Sequence, residues 1–173
     1  MGPSYQPKTE AKCQSKLILA MPRIGTAVLL LGLFPFLLAQ TTTSMTHHAE
    51  GTFKVDVQPL ANAPAPGLTR LSINKEFEGD IKGVSKGEMI SGGDPKQGVA
   101  GYVAVEVVTA TLMGKSGSFA LQHMATMDQN GPKMSIVVVP GSGTGELKGI
   151  SGEFHIQIAN GQHSYTFDYT LPQ

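Results

Sequence analysis

From Thr46 onward, apolar and polar positions alternate in short runs separated by clusters of glycine, proline, asparagine and serine. Phe53, Val55 and Val57 alternate with Lys54 and Asp56, the pattern of a strand with one wet face. Ala61–Gly67 (ANAPAPG) breaks that run, and Leu71, Ile73 and Phe77 begin a second strand. The pattern predicts further strands over Ile81–Ile90, Gly101–Leu112, Ser118–Met127, Met134–Val139, Leu147–Ile158 and His163–Leu171, with Ser91–Gly98 as a loop. Gly83 and Gly87 weaken the third strand. No helical period stands out after Met45. Eight strands with short links predict an all-β domain, a small antiparallel barrel or a sandwich. The run Ser142–Gly152 (SGTGELKGISG) favours the barrel, because glycine-rich corners let a sheet bend until it closes.

Two hairpins can be registered from their turns. Asn160-Gly161 is a strong two-residue turn signal, since both residues tolerate positive φ. It predicts the pairs Ile158/His163, Ile156/Tyr165, Phe154/Phe167 and Gly152/Tyr169. One face is then almost wholly apolar and must point inward. The other carries Glu153 opposite Asp168, which is tolerable only in water. The second turn is placed at Gly114-Lys115 as type II′, which sets Glu106 directly opposite His123. Their face also holds Tyr102, Ala104, Val108, Phe119 and Leu121 and is the more apolar one, so it too is expected inside. Met134–Val139 is apolar on both faces. Either it is covered on both sides or one side meets another subunit, which makes a homo-oligomer a candidate assembly.

Ile24–Ala39 (IGTAVLLLGLFPFLLA) changes the picture ahead of this domain. Behind a basic start it has the form of a secretory signal, with cleavage expected near Ala39–Gln40. It is shorter than the roughly 20 apolar residues of a spanning helix, and Pro35 interrupts it. The chain thus divides into an extension with a signal segment (1–39), a linker (40–45) and a barrel domain (46–173), the last expected to be secreted or periplasmic with no stable membrane span. Retention as an N-terminal anchor and a translation start at Met21 are the alternatives. The sole cysteine, Cys13, precedes this segment. Removal of the leader would leave no thiol for catalysis, zinc binding or an internal disulfide. From Met45 onward there are nine Lys/Arg and twelve Asp/Glu without a basic cluster, which argues against a nucleic-acid partner.

The segments Thr46–Phe53 (THHAEGTF), GYVAVE, GSFALQHMATM and VVPGSGTGELKGISGEF together resemble the bacterial domain-of-unknown-function family 3224, from about Met45 to Pro172. The resemblance implies a small antiparallel barrel of the allene oxide cyclase-like or dirigent-like kind. It does not imply an activity: the lumen cysteine of the plant cyclases has no counterpart after Cys13.

The chemical candidate is the Glu106–His123 pair. A carboxylate and an imidazole together in an apolar interior can exchange a proton with a bound molecule. Equally, they can satisfy each other as a structural pair. Tyr102, Phe119, Leu121, Phe154, Tyr165, Phe167 and Tyr169 are the candidate ligand-contacting residues, or else core. No cofactor and no metal site is expected. His47 and His48 lack a third ligand at close spacing, and the glycine-rich run lacks the Gly-Lys-Ser/Thr ending of a phosphate loop. Three functions stay open: an exported barrel binding a small apolar or amphipathic ligand, a cofactor-independent isomerase or cyclase using Glu106 and His123, and a filled structural or partner-binding barrel.

Overall fold

The computed structural model describes residues 44–172. The expected signal segment Ile24–Ala39, Cys13 and most of the linker lie outside the described residues. Eight strands follow one another: β1 (Thr46–Pro59), β2 (Leu68–Gly79), β3 (Ile81–Asp94), β4 (Val99–Leu112), β5 (Lys115–Asp128), β6 (Gly131–Val138), β7 (Ser151–Ala159) and β8 (Gln162–Thr170). Each pairs antiparallel with its chain neighbours, and β8 returns to β1 to close the barrel. No helix among the described residues is long and apolar enough to cross a membrane.

The turn at Asn160-Gly161 forms as expected, and the β7–β8 register carries all four predicted pairs. Glu153 and Asp168 do face each other on the outside, and His48 on β1 bonds the Asp168 carboxylate at 2.7 Å. The β4–β5 register corrects the sequence reading. The turn is Met113-Gly114, with φ of 47° and 85°, and Leu112 pairs with Lys115. Every pair therefore shifts by two residues, so Glu106 lies opposite Leu121 and His123 opposite Ala104. A slip of two preserves the face, which is why both side chains still point inward.

All four links at one end of the barrel are short loops: 60–67, 95–98, 129–130 and 160–161. The other end carries Asp80, the 113–114 turn, the long 139–150 connection and the two ends of the domain. At this second end the interior is solid. Phe77, Phe119, Phe154, Tyr165 and Phe167 are buried and pack in offset stacks and edge contacts, with centroids 5.2 Å apart for Phe154/Tyr165 and 5.6 Å for Phe119/Phe167. The glycine-rich connection caps this end. Leu147, expected at the start of a strand, instead lies in a single 3-10 turn (Gly145–Leu147) and is wholly buried, with Ile150 beside it. Gly117 makes room for the turn, since a Cβ there would strike the Thr144 carbonyl and the Leu147 side chain.

The strand expected over Met134–Val139 forms as β6. It turns Ile136 and Val138 into the core and leaves Met134 half exposed at the loop-bearing end. β6 and β7 share a single register pair, Val137 with Glu153, the sparsest seam in the wall. Leu147→Ala would empty a fully buried site under the barrel. It is expected to cost about 2–5 kcal/mol, read from the urea midpoint at unchanged slope.

Candidate functional site

The middle of the barrel is polar. Lys75, Ser85, Glu106 and His123 are buried, and they come one each from β2, β3, β4 and β5. Strand alternation dictates their direction. Lys75 shares the inward face with Ile73 and Phe77, and Ser85 with Ile81 and Met89. Lys75 pairs directly with Ser85, Gly87 with Glu106, and Ala104 with His123, so the four groups step across neighbouring strands. Gly87 matters here because a Cβ would run into the Glu106 Cβ and the Val105 carbonyl. Glycine lets β3 lie close beside the carboxylate.

Glu106 is the hub. Its Oε1 accepts from Lys75 Nζ at 2.5 Å and from His123 Nε2 at 2.9 Å, while Ser85 Oγ donates to Oε2 at 2.5 Å. Lys75 Nζ also lies 5.1 Å from the centre of the Phe53 ring. Burial alone would push the Glu106 carboxyl up. The His123 hydrogen bond, the Lys75 charge and hydrogen bond, and the Ser85 hydroxyl outweigh it and hold the group at about 2. Glu106 is therefore an anion at neutral pH although none of its surface meets solvent. The expected pair exists, but as neighbours on a diagonal, and the expectation of a lone couple is corrected to a four-membered cluster. Lys75 and Ser85 were missed, although the period-two pattern already placed both on the inward face.

On the loop side of this cluster the barrel is open. Val55, Val57, Ile73, Met89, Ile156 and Ile158 surround a cavity of about 210 Å³ that Lys75, His123 and His163 also line. A second, almost wholly apolar cavity of about 340 Å³ adjoins it, lined by Leu71, Ala100, Ala125, Met127 and Pro132. Tyr102, Met89 and Met134 border both, and the Tyr102 hydroxyl lies 4.0 Å from the Met134 sulfur. Burial, and then the Glu106 charge, push the Tyr102 phenol up, so it remains a donor.

Of the candidate ligand-contacting residues, Tyr102 borders the open half. Phe119, Leu121, Phe154, Tyr165 and Phe167 belong to the packed half, where the Tyr165 hydroxyl accepts the Ile81 N–H at 2.8 Å. Tyr169 stacks on Phe167 and on His47 near the capped end. No group of three or more His, Cys, Asp or Glu that could hold a metal occurs among the described residues.

Residues 49–169 match the family model described as a protein of unknown function (DUF3224). The chain belongs to the DUF3224 family. It is similar to a solved structure of a DUF3224 protein of unknown function from Shewanella oneidensis MR-1. The two are 38% identical with a TM-score of 0.68, over 75% of this chain and 100% of that one. No curated protein matches the chain. The closed eight-stranded barrel is thus a DUF3224 domain, while kinship with the allene oxide cyclases stays an expectation of the sequence.

The depressed carboxyl makes this DUF3224 domain acid-sensitive. The unfolded chain would protonate Glu106 near its ordinary value of 4.5, the folded one only near 2. The unfolded state therefore binds more protons between those limits, and stability falls as pH drops through that window. The residue's share is about 3 kcal/mol. Glu106→Gln removes this component, so urea unfolding of the variant should show a flatter pH profile than wild type below pH 4.5.

Proposed function

We propose that this domain binds a small amphipathic molecule in the open half of its barrel. The supporting observation is the division of the interior. Aromatic side chains fill one half, while aliphatic walls and Met89 surround a hollow in the other, with Lys75 and His123 at its floor. The two adjoining cavities match the usual design of a ligand site, mostly apolar with a few fixed polar groups. The apolar part of the molecule would lie along Ile73, Ile156 and Met89, and its polar end would reach the cluster.

The neutral dye N-phenyl-1-naphthylamine, which fluoresces in apolar surroundings, tests this. Wild-type protein should bind it saturably at one site. Met89→Trp, which places an indole in the hollow, should abolish the signal without lowering the thermal midpoint. Absence of a saturable signal in wild type, or equal binding by the filled variant, would refute the reading.

One observation favours a second reading, a cofactor-independent isomerase or cyclase. Glu106 accepts a hydrogen bond from the Nε2–H of His123, which leaves Nδ1 as the free nitrogen of a ring that lines the cavity. A ring held this way is set up as a general base, with the carboxylate fixing its tautomer. Native mass spectrometry of protein from its own host would identify a retained molecule. If that molecule is turned over, Glu106→Gln should slow the step on the order of 100-fold or more while binding persists. Undiminished turnover eliminates the Glu106–His123 mechanism. We further propose that the domain is exported after cleavage near Ala39–Gln40. Sequencing the mature N-terminus checks it, and an intact leader in the membrane fraction overturns it.

A further inference from the structure

We infer that the outer face of β4 joins two copies of this chain, wall against wall, with their strands running in opposite directions. This contact lies outside the barrel and does not depend on the binding reading above.

The exterior of the barrel is uneven. Strand alternation turns His48, Glu50, Lys54 and Asp56 outward on β1, and Glu76 and Glu78 outward on β2. Glu153, His155 and Asp168 do the same on β7 and β8. On β4 the outward run is Val103, Val105 and Val107, each about half exposed. Their β5 neighbours Met124, Gln122 and Ala120 are uncharged too, and no Asp, Glu, Lys or Arg occurs from Ser116 to Met127. The wet face of an antiparallel sheet normally carries polar side chains. Strand propensity does not demand this valine run, because threonine suits a wet face as well. Contiguous exposed apolar surface of this kind marks a contact site. β6, the strand first considered for such a contact, offers only Val137 outward beside Lys133 and Ser135.

Both edges of β4 are already laddered, to β3 and to β5. A partner cannot add a strand there and must stack on the face, as packed sheets do. The charges at the margin of the patch say which partner fits. On β3, Glu88 lies beside Val105 and Lys86 beside Val107, all four facing outward. A two-fold axis running across the strands between these two rows sets Val105 on the partner's Val107 and Lys86 on the partner's Glu88, each twice by symmetry. Moving the axis onto the Val105 row would bring the two Glu88 carboxylates together. An axis along the strands would set Lys86 and Glu88 on the partner's uncharged Ala120 and Gln122. Arg70 already donates to both Glu88 oxygens at 2.8 Å. A carboxylate has about four acceptor sites, so Glu88 can hold Arg70 from its own chain and Lys86 from the other. The valines supply the apolar contact, and the charges fix its register. Reversed strands point the two hollows in opposite directions, so neither mouth is covered.

The barrel closes on itself and residues 40–173 form a compact unit, so protein lacking residues 1–39 serves for the test. Sedimentation equilibrium up to millimolar concentration should show a monomer–dimer equilibrium. Val105→Lys should weaken the dimer on the order of 100-fold or more, by facing two ammonium groups across the contact, with the thermal midpoint of the monomer unchanged. Lys86→Glu and Glu88→Lys, made singly, should each weaken it about tenfold. Combined, they restore opposite charges across the contact and should recover most of the loss. Glu88→Lys and the combined variant lose the Arg70 pair equally, so recovery reports the contact between copies. A monomer at every concentration overturns the inference, and binding of that monomer to phosphatidylcholine vesicles would assign the face to lipid instead. A dimer indifferent to Val105→Lys overturns it by placing the contact elsewhere. A combined variant no tighter than Glu88→Lys alone overturns the antiparallel arrangement.

Discussion

Glu106 is ionised where water does not reach it, and much of the barrel's geometry answers that condition. An isolated buried carboxylate would cost several kcal/mol and would take up a proton instead. Here three donors from three other strands converge on two oxygens. Each is short-ranged and directional, so β2, β3, β4 and β5 have little freedom to slide past one another. The cluster couples their registers through side chains as the ladders couple them through the backbone. In buried ion clusters generally, replacement by well-packed apolar residues is often neutral or stabilising, whereas removal of one partner alone is strongly destabilising. The charge sits at the boundary between the filled and the open interior, where Lys75 and His123 reach the cavity wall.

The division of the interior follows from where bulk falls along each strand. Toward the capped end the inward positions are Phe77, Ile81, Leu112, Phe119, Phe154 and Phe167, large enough to meet in the centre. Toward the loop-bearing end they are Val55, Val57, Ala100, Ala125 and Ile158, which line the walls without reaching across. Small eight-stranded barrels either fill themselves or hold one ligand; this one is filled over one half of its length and hollow over the other.

Much of this could be read from the chain. Period-two alternation gave the strands, and Asn160-Gly161 gave the register of β7–β8, because two residues that accept positive φ leave few alternatives. The β4–β5 turn was misplaced for a physical reason. A methionine at φ 47° is unfavourable, so the sequence points to Gly114 as the first turn residue rather than the second. Lys75 escaped notice because a lysine flanked by Asn74 and Glu76 looks solvated, although its parity with Ile73 and Phe77 places it inside. The 3-10 turn that carries Leu147 down over the core depends on contacts with β5 far away in sequence, which no local pattern contains.

Between β6 and β7 the ladder has one rung, whereas β3 and β4 share fourteen register pairs. The molecule is in effect a ribbon running from β7 through β8 and β1 round to β6, whose two margins touch with little lacing. Few backbone hydrogen bonds need to break for those margins to part, while parting any better-laced pair would break many. Breathing of the cylinder is therefore directional: thermal motion would widen it along this line first.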